Sequence, residues 1–451
     1  MRWARLSMAV LTAAWLVGCA TYHARPLPTQ PDVKSSPAEL KIDPARLRLE
    51  PLKSITLDPA TGLDPLQVGV LAVLSSPDLE AKRAALGVNA AQVFAAGLLP
   101  DVQFAAGVDR PTAGPDTQNA YNVSPSLDLA ALIARGNLRR AAQFTADQAD
   151  LDLLWAEWGT AQQARGLAET VLAGEGRIVY LRRILALASD RAARSAAALE
   201  RRDVAVQTTA ADLAAKLDAQ TLLATAEHDT QKARRDLNAL LGLEASVLLP
   251  LKLGGDPGRY DDAALNRALG ALDQRRPDLL ALRAGYQAQD ANLRRAVLAQ
   301  FPINQIALNF AKDPAGVVTQ GVSGAFVLPI LNGGRGDVRV QDATREQLRA
   351  EYQARLDQTD AEVKAAEAEL ASASAQAQGL SADVPRLEAL VRPADAAFER
   401  HDLDSQAYLT LEQNALSRRA DLDDRELAVR LAEIQIETAL FLPPADARAP
   451  P

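Results

Sequence analysis

Two periods of hydrophobic spacing divide this chain. Ile306, Leu308 and Phe310 alternate with Gln305, Ala307 and Asn309, and Val322, Phe326 and Leu328 alternate with small or polar residues. Val102, Phe104, Ala106 and Val108 alternate in the same way with Gln103, Ala105 and Gly107. After the turn-rich run 110–116, Tyr121, Val123, Leu127 and Leu129 alternate with Asn122, Ser124, Ser126 and Asp128. A period of two is strand spacing, so four strands in two hairpins are expected. The long stretches between them read as helix. Asn137 to Glu200 holds no proline and would span roughly 95 Å if continuous. Leu151, Leu154, Trp155 and Trp158 fall on one face of it, and Gly174 and Gly176 are expected to weaken or bend its middle. A return helix is expected from about Val206 to Leu241. In the second half, one helix should run from Val338 to about Leu380 and another from Gln406 to Leu440, with Leu427, Leu431 and Ile434 on its buried face. Pro385 and Pro393 should kink or break the segment between them.

The pattern occurs twice. Ser76-Pro77-Asp78-Leu79 returns as Arg276-Pro277-Asp278-Leu279, and Leu99-Pro100 as Phe301-Pro302. Arg135-Gly136-Asn137-Leu138-Arg139 returns as Arg335-Gly336-Asp337-Val338-Arg339, and Glu200-Arg201-Arg202-Asp203-Val204 as Glu399-Arg400-His401-Asp402-Leu403. The landmarks keep one order and nearly one offset, so we divide the chain into a first unit over 66–260, a second over 261–441 and a tail over 442–451. Pro-rich residues 21–64 read as an extended strap, with a disordered linker an equal reading for 21–45.

Composition narrows the function. Aromatics make up 4% of the 451 residues, which favours long helices over a mixed compact core. A net charge of −8 without a basic stripe gives no nucleic-acid surface. Arg2 and Arg5 precede the apolar run Leu6–Val17, a secretory leader over 1–18 that is too short for an ordinary membrane span. The single cysteine, Cys19, follows Leu16-Val17-Gly18 and precludes a disulfide framework.

Leu16–Cys19 resembles a bacterial lipobox, which implies cleavage before Cys19 and acylation of its thiol; Ala20 resembles the outer-membrane sorting residue. Arg276-Pro277-Asp278, the Phe301-Pro302 pair before a strand and Pro329-Ile330-Leu331-Asn332-Gly333-Gly334-Arg335 together resemble the TolC family of outer-membrane efflux channels, in its lipid-anchored branch. Leu331 stands where that family usually has an aromatic. The resemblance implies a mainly α fold with a small membrane β-barrel portion. Long antiparallel helical hairpins would form an α-barrel, and three chains with four strands each would share one 12-stranded barrel. Independently, four strands cannot close a membrane barrel, and open edges in lipid leave backbone groups unpaired. Several copies are therefore needed.

The implied function is an exit duct of a tripartite efflux pump. It would pass small molecules such as drugs or metal ions, with a periplasmic adaptor, an inner-membrane transporter and outer-membrane lipid as partners. In that family the hairpin turns at the periplasmic tip meet the adaptor and usually carry glycine. Here Arg202 and Asp203, or His401 and Asp402, stand there, depending on a one-residue choice of register. Solvated turns without a partner are the plain alternative. Some members narrow the tube with acidic residues just after the second tip. Here those places hold Ala407 and Thr410, or Tyr408 and Leu411, so Tyr408 and Leu411 are the candidate constriction, with Asp404 and Glu412 as acidic alternatives. Ordinary helix packing is the competing reading for both.

Catalytic signals are missing from the sequence. His23, His228 and His401 lie far apart and have no metal-ligand partner at helical spacing. Gly174-Glu175-Gly176 lacks the preceding strand and final glycine of a phosphate loop. No enzyme, cofactor or metal site is expected. A secretion duct of the same fold, and a periplasmic scaffold lipoprotein without a pore, are the alternative functions.

Overall fold

The structure is a computed structural model. It describes residues 22–442 except 54, 58–61, 115–117, 256–261, 301–302, 328–329 and 401. The leader, Cys19, Phe301-Pro302, Leu328-Pro329, His401 and the tail from residue 443 onward lie outside the described residues. Residues 22–33 belong to one unit and carry no helix or strand. Every named element belongs to the other, which begins at Lys34.

The same succession of elements occurs twice. In the first half α1 (Pro65–Ser75) and α2 (Pro77–Gly97) lead to β1 (Gln103–Asp109), β2 (Ala120–Asp128), α3 (Leu129–Glu200) and α4 (Val206–Leu241). In the second half α5 (Asp262–Leu269), α6 (Leu272–Arg275) and α7 (Pro277–Leu298) lead to β3 (Ile303–Lys312), β4 (Val318–Phe326), α8 (Arg335–Glu399) and α9 (Ser405–Leu440). The four strands form one antiparallel sheet in the order β1-β2-β3-β4. Helices α3 and α4 pair as one hairpin and α8 and α9 as the other, and α3 packs against α9.

Several boundaries differ from the sequence reading. Leu129, expected in a strand, is the first residue of α3, because the Asp128 carboxylate accepts the Ala131 amide and caps the helix there. Gly174 and Gly176 leave α3 unbroken. A Cβ at Gly174 would overlap Thr230 of α4, so this glycine lets the two helices approach closely. Helix α8 begins at Arg335 and continues past Leu380 to Glu399, through both Pro385 and Pro393. Each proline removes one backbone donor. Ser381 and Ala389, four residues before them, are exposed, so water reaches the carbonyls left without that donor.

The strap contains single 3-10 turns at Pro37–Glu39, Pro44–Arg46 and Glu50–Leu52, where proline serves at the start of a turn. Leu40, Leu47 and Leu49 between them, and Leu52 within the third, are buried. The strap also pairs in parallel with the segment linking the two halves. Lys34 N–H donates to Gly242 O at 2.9 Å, and Leu63 N–H donates to Pro250 O at 2.9 Å. Ion pairs Arg46–Glu80 (2.9 Å) and Arg48–Asp150 (2.6 Å) hold it to α2 and α3.

Arg276 is the buried tie between the halves, at 0% exposure. Its guanidinium donates twice to Asp278 (2.8 and 3.0 Å) and once to the Ala439 carbonyl in the last turn of α9 (2.8 Å). It lies 4.5 Å from the ring centroid of Trp155 on α3. Asp278 also accepts from Arg355 of α8 at 2.8 Å, and Arg355 donates to Glu362 at 3.0 Å. One cation therefore joins α3, α7 and α9, and it reaches α8 both through Asp278 and directly at Glu362, 3.6 Å away. Gly333 and Gly334 adopt φ of 58° and 66°, so the glycine pair supplies two consecutive left-handed residues before α8.

Replacing Arg276 by Ala should destabilise the protein by about 3–5 kcal/mol, because the buried Asp278 carboxylate loses one of its two cationic partners and a helix-end carbonyl loses its side-chain donor. Urea unfolding of detergent-solubilised protein, followed by Trp fluorescence, checks this.

Candidate channel wall and helical tip

The sheet has two chemically distinct faces. Its register places Gln103 opposite Ser126, Ala105 opposite Ser124, Gly107 opposite Asn122, Ser126 opposite Ala307 and Ala307 opposite Ser323. This face is polar or small. Gln305 donates to Ser126 at 2.6 Å, Ser124 donates to Asn309, and Asn309 donates to Ser323 at 2.8 Å. An amide and hydroxyl ladder thus crosses three strands. A Cβ at Gly107 would strike the Asn122 side chain, so glycine makes room for that amide.

The opposite face pairs Phe104 with Pro125, Val108 with Tyr121, Val123 with Phe310, Leu127 with Ile306 and Leu308 with Val322. Phe104, Val108, Tyr121, Val123, Ile306, Leu308, Phe310 and Val322 are all exposed. Just past β4, Leu331 is 99% exposed. A contiguous apolar face of this kind is a surface built for lipid or protein rather than water. Among the described residues, the outer edges of β1 and β4 have no strand partner. No helix among the described residues is long and apolar enough to cross a membrane.

At the other end of the helices the two turns match each other. Asp203 N–H donates to Ala198 O and Asp402 N–H donates to Ala397 O, both at 2.8 Å. Arg201 pairs with Asp203 at 3.0 Å and Arg400 with Asp402 at 2.9 Å. The left-handed position in the first turn is Arg202, with φ 62°, rather than Asp203. In the second half Asp404 caps α9 by accepting from the Gln406 and Ala407 amides (3.0 and 3.2 Å).

Tyr408 stacks on Phe398 across the α8–α9 hairpin, with centroids 4.7 Å apart and planes 6° apart. Burial, with hydrogen bonds to the Asp395 and Glu412 carboxylates, pushes its phenol above the ordinary tyrosine range. Glu412 also binds Arg183 of α3 at 2.8 Å. Leu411 is half-buried nearby. The stacking partner Phe398 was not among the residues expected from sequence; its signal is the symmetry of Phe398 and Tyr408, which stand five residues either side of Leu403. Arg135, a landmark of the repeat, has a contact that its position in the sequence did not reveal: it donates to the Gly97 and Leu98 carbonyls at the end of α2 (2.9 and 3.1 Å). Among the described residues no group of three or more His, Cys, Asp or Glu is placed to hold a metal ion.

No protein-family model matches the sequence, and no curated protein is similar to it. Solved structures are. The Campylobacter jejuni CmeC outer membrane channel matches with a TM-score of 0.68 at 14% identity, over 84% of this chain and 86% of CmeC. CusC, described with transmembrane channel formation, matches with a TM-score of 0.65 at 15% identity, over 94% of this chain and 99% of CusC. The Vibrio cholerae outer membrane protein VceC matches with a TM-score of 0.64 at 17% identity, over 83% of this chain and 95% of VceC. The chain has the TolC-like outer-membrane-channel fold. The likeness extends over 86% to 99% of those three chains, so it takes in both the sheet and the helical hairpins.

Arg202→Gly removes the cost of a side chain in the left-handed region. It should stabilise the protein by about 1 kcal/mol. A rise in thermal midpoint checks this, and a fall would show that the Arg202 side chain makes a larger contribution than the backbone strain it imposes.

Proposed function

We propose that this protein is the outer-membrane channel of a tripartite efflux pump, passing small molecules such as drugs or metal ions from a periplasm-spanning complex to the exterior. The observation that carries the reading is the four-stranded sheet. One face is apolar and exposed, the other bears a ladder of neutral polar groups, and among the described residues both outer edges are open. Lipid suits the first face, a water-filled lumen suits the second, and further copies of the chain satisfy the edges. Three copies sharing a 12-stranded barrel meet all three conditions. The CmeC, CusC and VceC likenesses support the same fold-level reading.

On this reading acylated Cys19 anchors the mature chain to the outer membrane, and the two helical hairpins extend into the periplasm. The tip turns at Arg202, Asp203, His401 and Asp402 meet the adaptor, and an inner-membrane transporter supplies the energy. Tyr408 and Leu411 narrow the duct just above the tip. The Phe398 stack and the Arg183–Glu412 pair support a fixed position for α9 there, because both hold it against its neighbours.

Purified protein in planar bilayers should give discrete conductance steps, and Tyr408→Ala and Leu411→Ala should each raise the unitary conductance. Steps that are absent for the wild type and both variants would favour the pore-free scaffold. Steps that both variants leave unchanged would move the constriction elsewhere.

A further inference from the structure

The two halves repeat each other, and at one place they differ in charge and in filling. Helices α4 and α9 are both 36 residues long, and they start and end at an offset of 199. The two tip turns share that offset, down to the Ala198–Asp203 and Ala397–Asp402 hydrogen bonds. The long helix α3 therefore corresponds to α8, and α4 corresponds to α9. In the order of elements α1 stands where α5 and α6 stand in the second half.

In the first half this place is sealed. Ala168 of α3 and Leu237 of α4 are buried in one cluster with Val68 and Leu71 of α1 and Leu40 of the strap. One turn before Leu237, Arg234 of α4 pairs with Glu175 of α3. A cation and its carboxylate thus neutralise each other at the edge of a filled core.

In the second half the counterpart is open. A groove of about 560 Å³ runs between α5, α8 and α9, lined by Leu265, Leu370, Val429 and Ile436 and by the acids Glu367 and Glu433. The core cluster beside it draws on α5 to α9 and Leu442, with no residue of the strap. By the offset of 199, Glu433 stands for Arg234, Ser374 for Glu175, Glu367 for Ala168 and Ile436 for Leu237. Where the first half has a cation held by its own carboxylate, the second has two acids beside open space. Glu433 is buried, at 9% exposure, and Glu367 is half-buried. No lysine or arginine lines the groove among the described residues. The basic residue one turn before each acid is engaged elsewhere: Arg430 pairs with Glu169 at 3.0 Å, and Lys364 with Asp360 at 2.6 Å.

We infer that this groove is a binding site for an organic cation with an apolar body, such as a hydrophobic amine or a quaternary phosphonium. The aliphatic walls would take the apolar part out of water. The two carboxylates would meet the charge where partial burial makes their attraction stronger than in bulk water. A neutral ligand would instead dehydrate both acids without compensation. A metal ion is the poorer fit, since the described residues place no three acidic or imidazole ligands together. The volume lies within the roughly 300–1,000 Å³ typical of small-molecule sites. The site shares no residue with the sheet or the tip turns, and its chemistry holds whether or not the chain forms a channel. An occupant would touch α5, α8 and α9 together, and so tie the short helix to the hairpin.

The test is isothermal titration of the full-length protein, held in an amphipathic polymer, with tetraphenylphosphonium. Saturable binding of one cation per chain is expected, with a rise in thermal midpoint as the ligand is added. Triphenylphosphine oxide, a neutral molecule of similar shape, should bind at least about tenfold more weakly. Glu367→Gln should weaken tetraphenylphosphonium by about tenfold, the loss of one charged contact. Ala371→Trp, which fills the groove from α8, should abolish binding. Ser374→Glu combined with Glu433→Arg copies the Glu175–Arg234 pair into the groove. This double variant should also lose the ligand while keeping the thermal midpoint of the free protein.

Equal affinity for the neutral molecule would show a merely apolar surface and overturn the inference. So would tetraphenylphosphonium binding that Glu367→Gln and Ala371→Trp leave unchanged, or the lack of any saturable binding to the wild type. The single variants decide the matter even if the double variant does not fold.

Discussion

A single buried guanidinium constrains the architecture. Arg276 has no solvent to neutralise it, so the groups around it must do so at once: the Asp278 and Glu362 carboxylates, the Ala439 carbonyl and the Trp155 ring. These partners come from the start of α7, from α8, from the end of α9 and from the upper part of α3. A cation at the C-terminal end of a helix also meets the negative end of its dipole, so Arg276 stabilises α9 where its carbonyls run out of partners. Asp278 stands in the first turn of α7, where a carboxylate is favoured for the opposite reason. Two helix ends of opposite polarity are thus joined by one ion pair, and the strands and long helices on either side take their positions from that junction.

Away from the junction the long helices depend on their seams. No hairpin of this length buries a thick core, and the interior faces are narrow and rich in alanine. Buried Ala161, Ala164, Ala168, Ala188 and Ala192 on α3 allow close helix approach but bury little area each. The ion pairs Arg165–Glu437, Glu169–Arg430, Arg177–Asp424 and Arg183–Glu412 then set the register of α3 on α9. Arg165 and Glu437 are nearly excluded from water, so breaking that pair would leave an uncompensated charge, while the pairs nearer the tip are more exposed and individually weaker. Cohesion between the halves therefore declines from the junction toward the tip.

The strand pairs were legible because alternation survives in a sheet with two unlike faces, and α4 was legible to the residue because a charged turn precedes it and Gly242 closes it with φ 75°. The run through Pro385 and Pro393 was not legible. Local propensity breaks a helix at proline, but packing of α8 along α9 holds the segment, and the exposed face admits water to the freed carbonyls. Nor could the buried strap leucines be read, since a Pro-rich polar segment reveals its core contacts only when the surface it covers is known. At the tip the sequence left the register between Arg202 and Asp203 open, because neither residue favours the left-handed region enough to decide it. The role of Arg276 was half legible: the motif was recognisable, whereas its partners lie up to 163 residues away.

The most direct test of the shared-barrel account is the native mass of the mature protein extracted in mild detergent from isolated outer membranes. The account predicts a particle of three chains with lipid on Cys19, resistant to a high-salt wash. A stable monomer, or protein that the wash releases from the membrane, would contradict it.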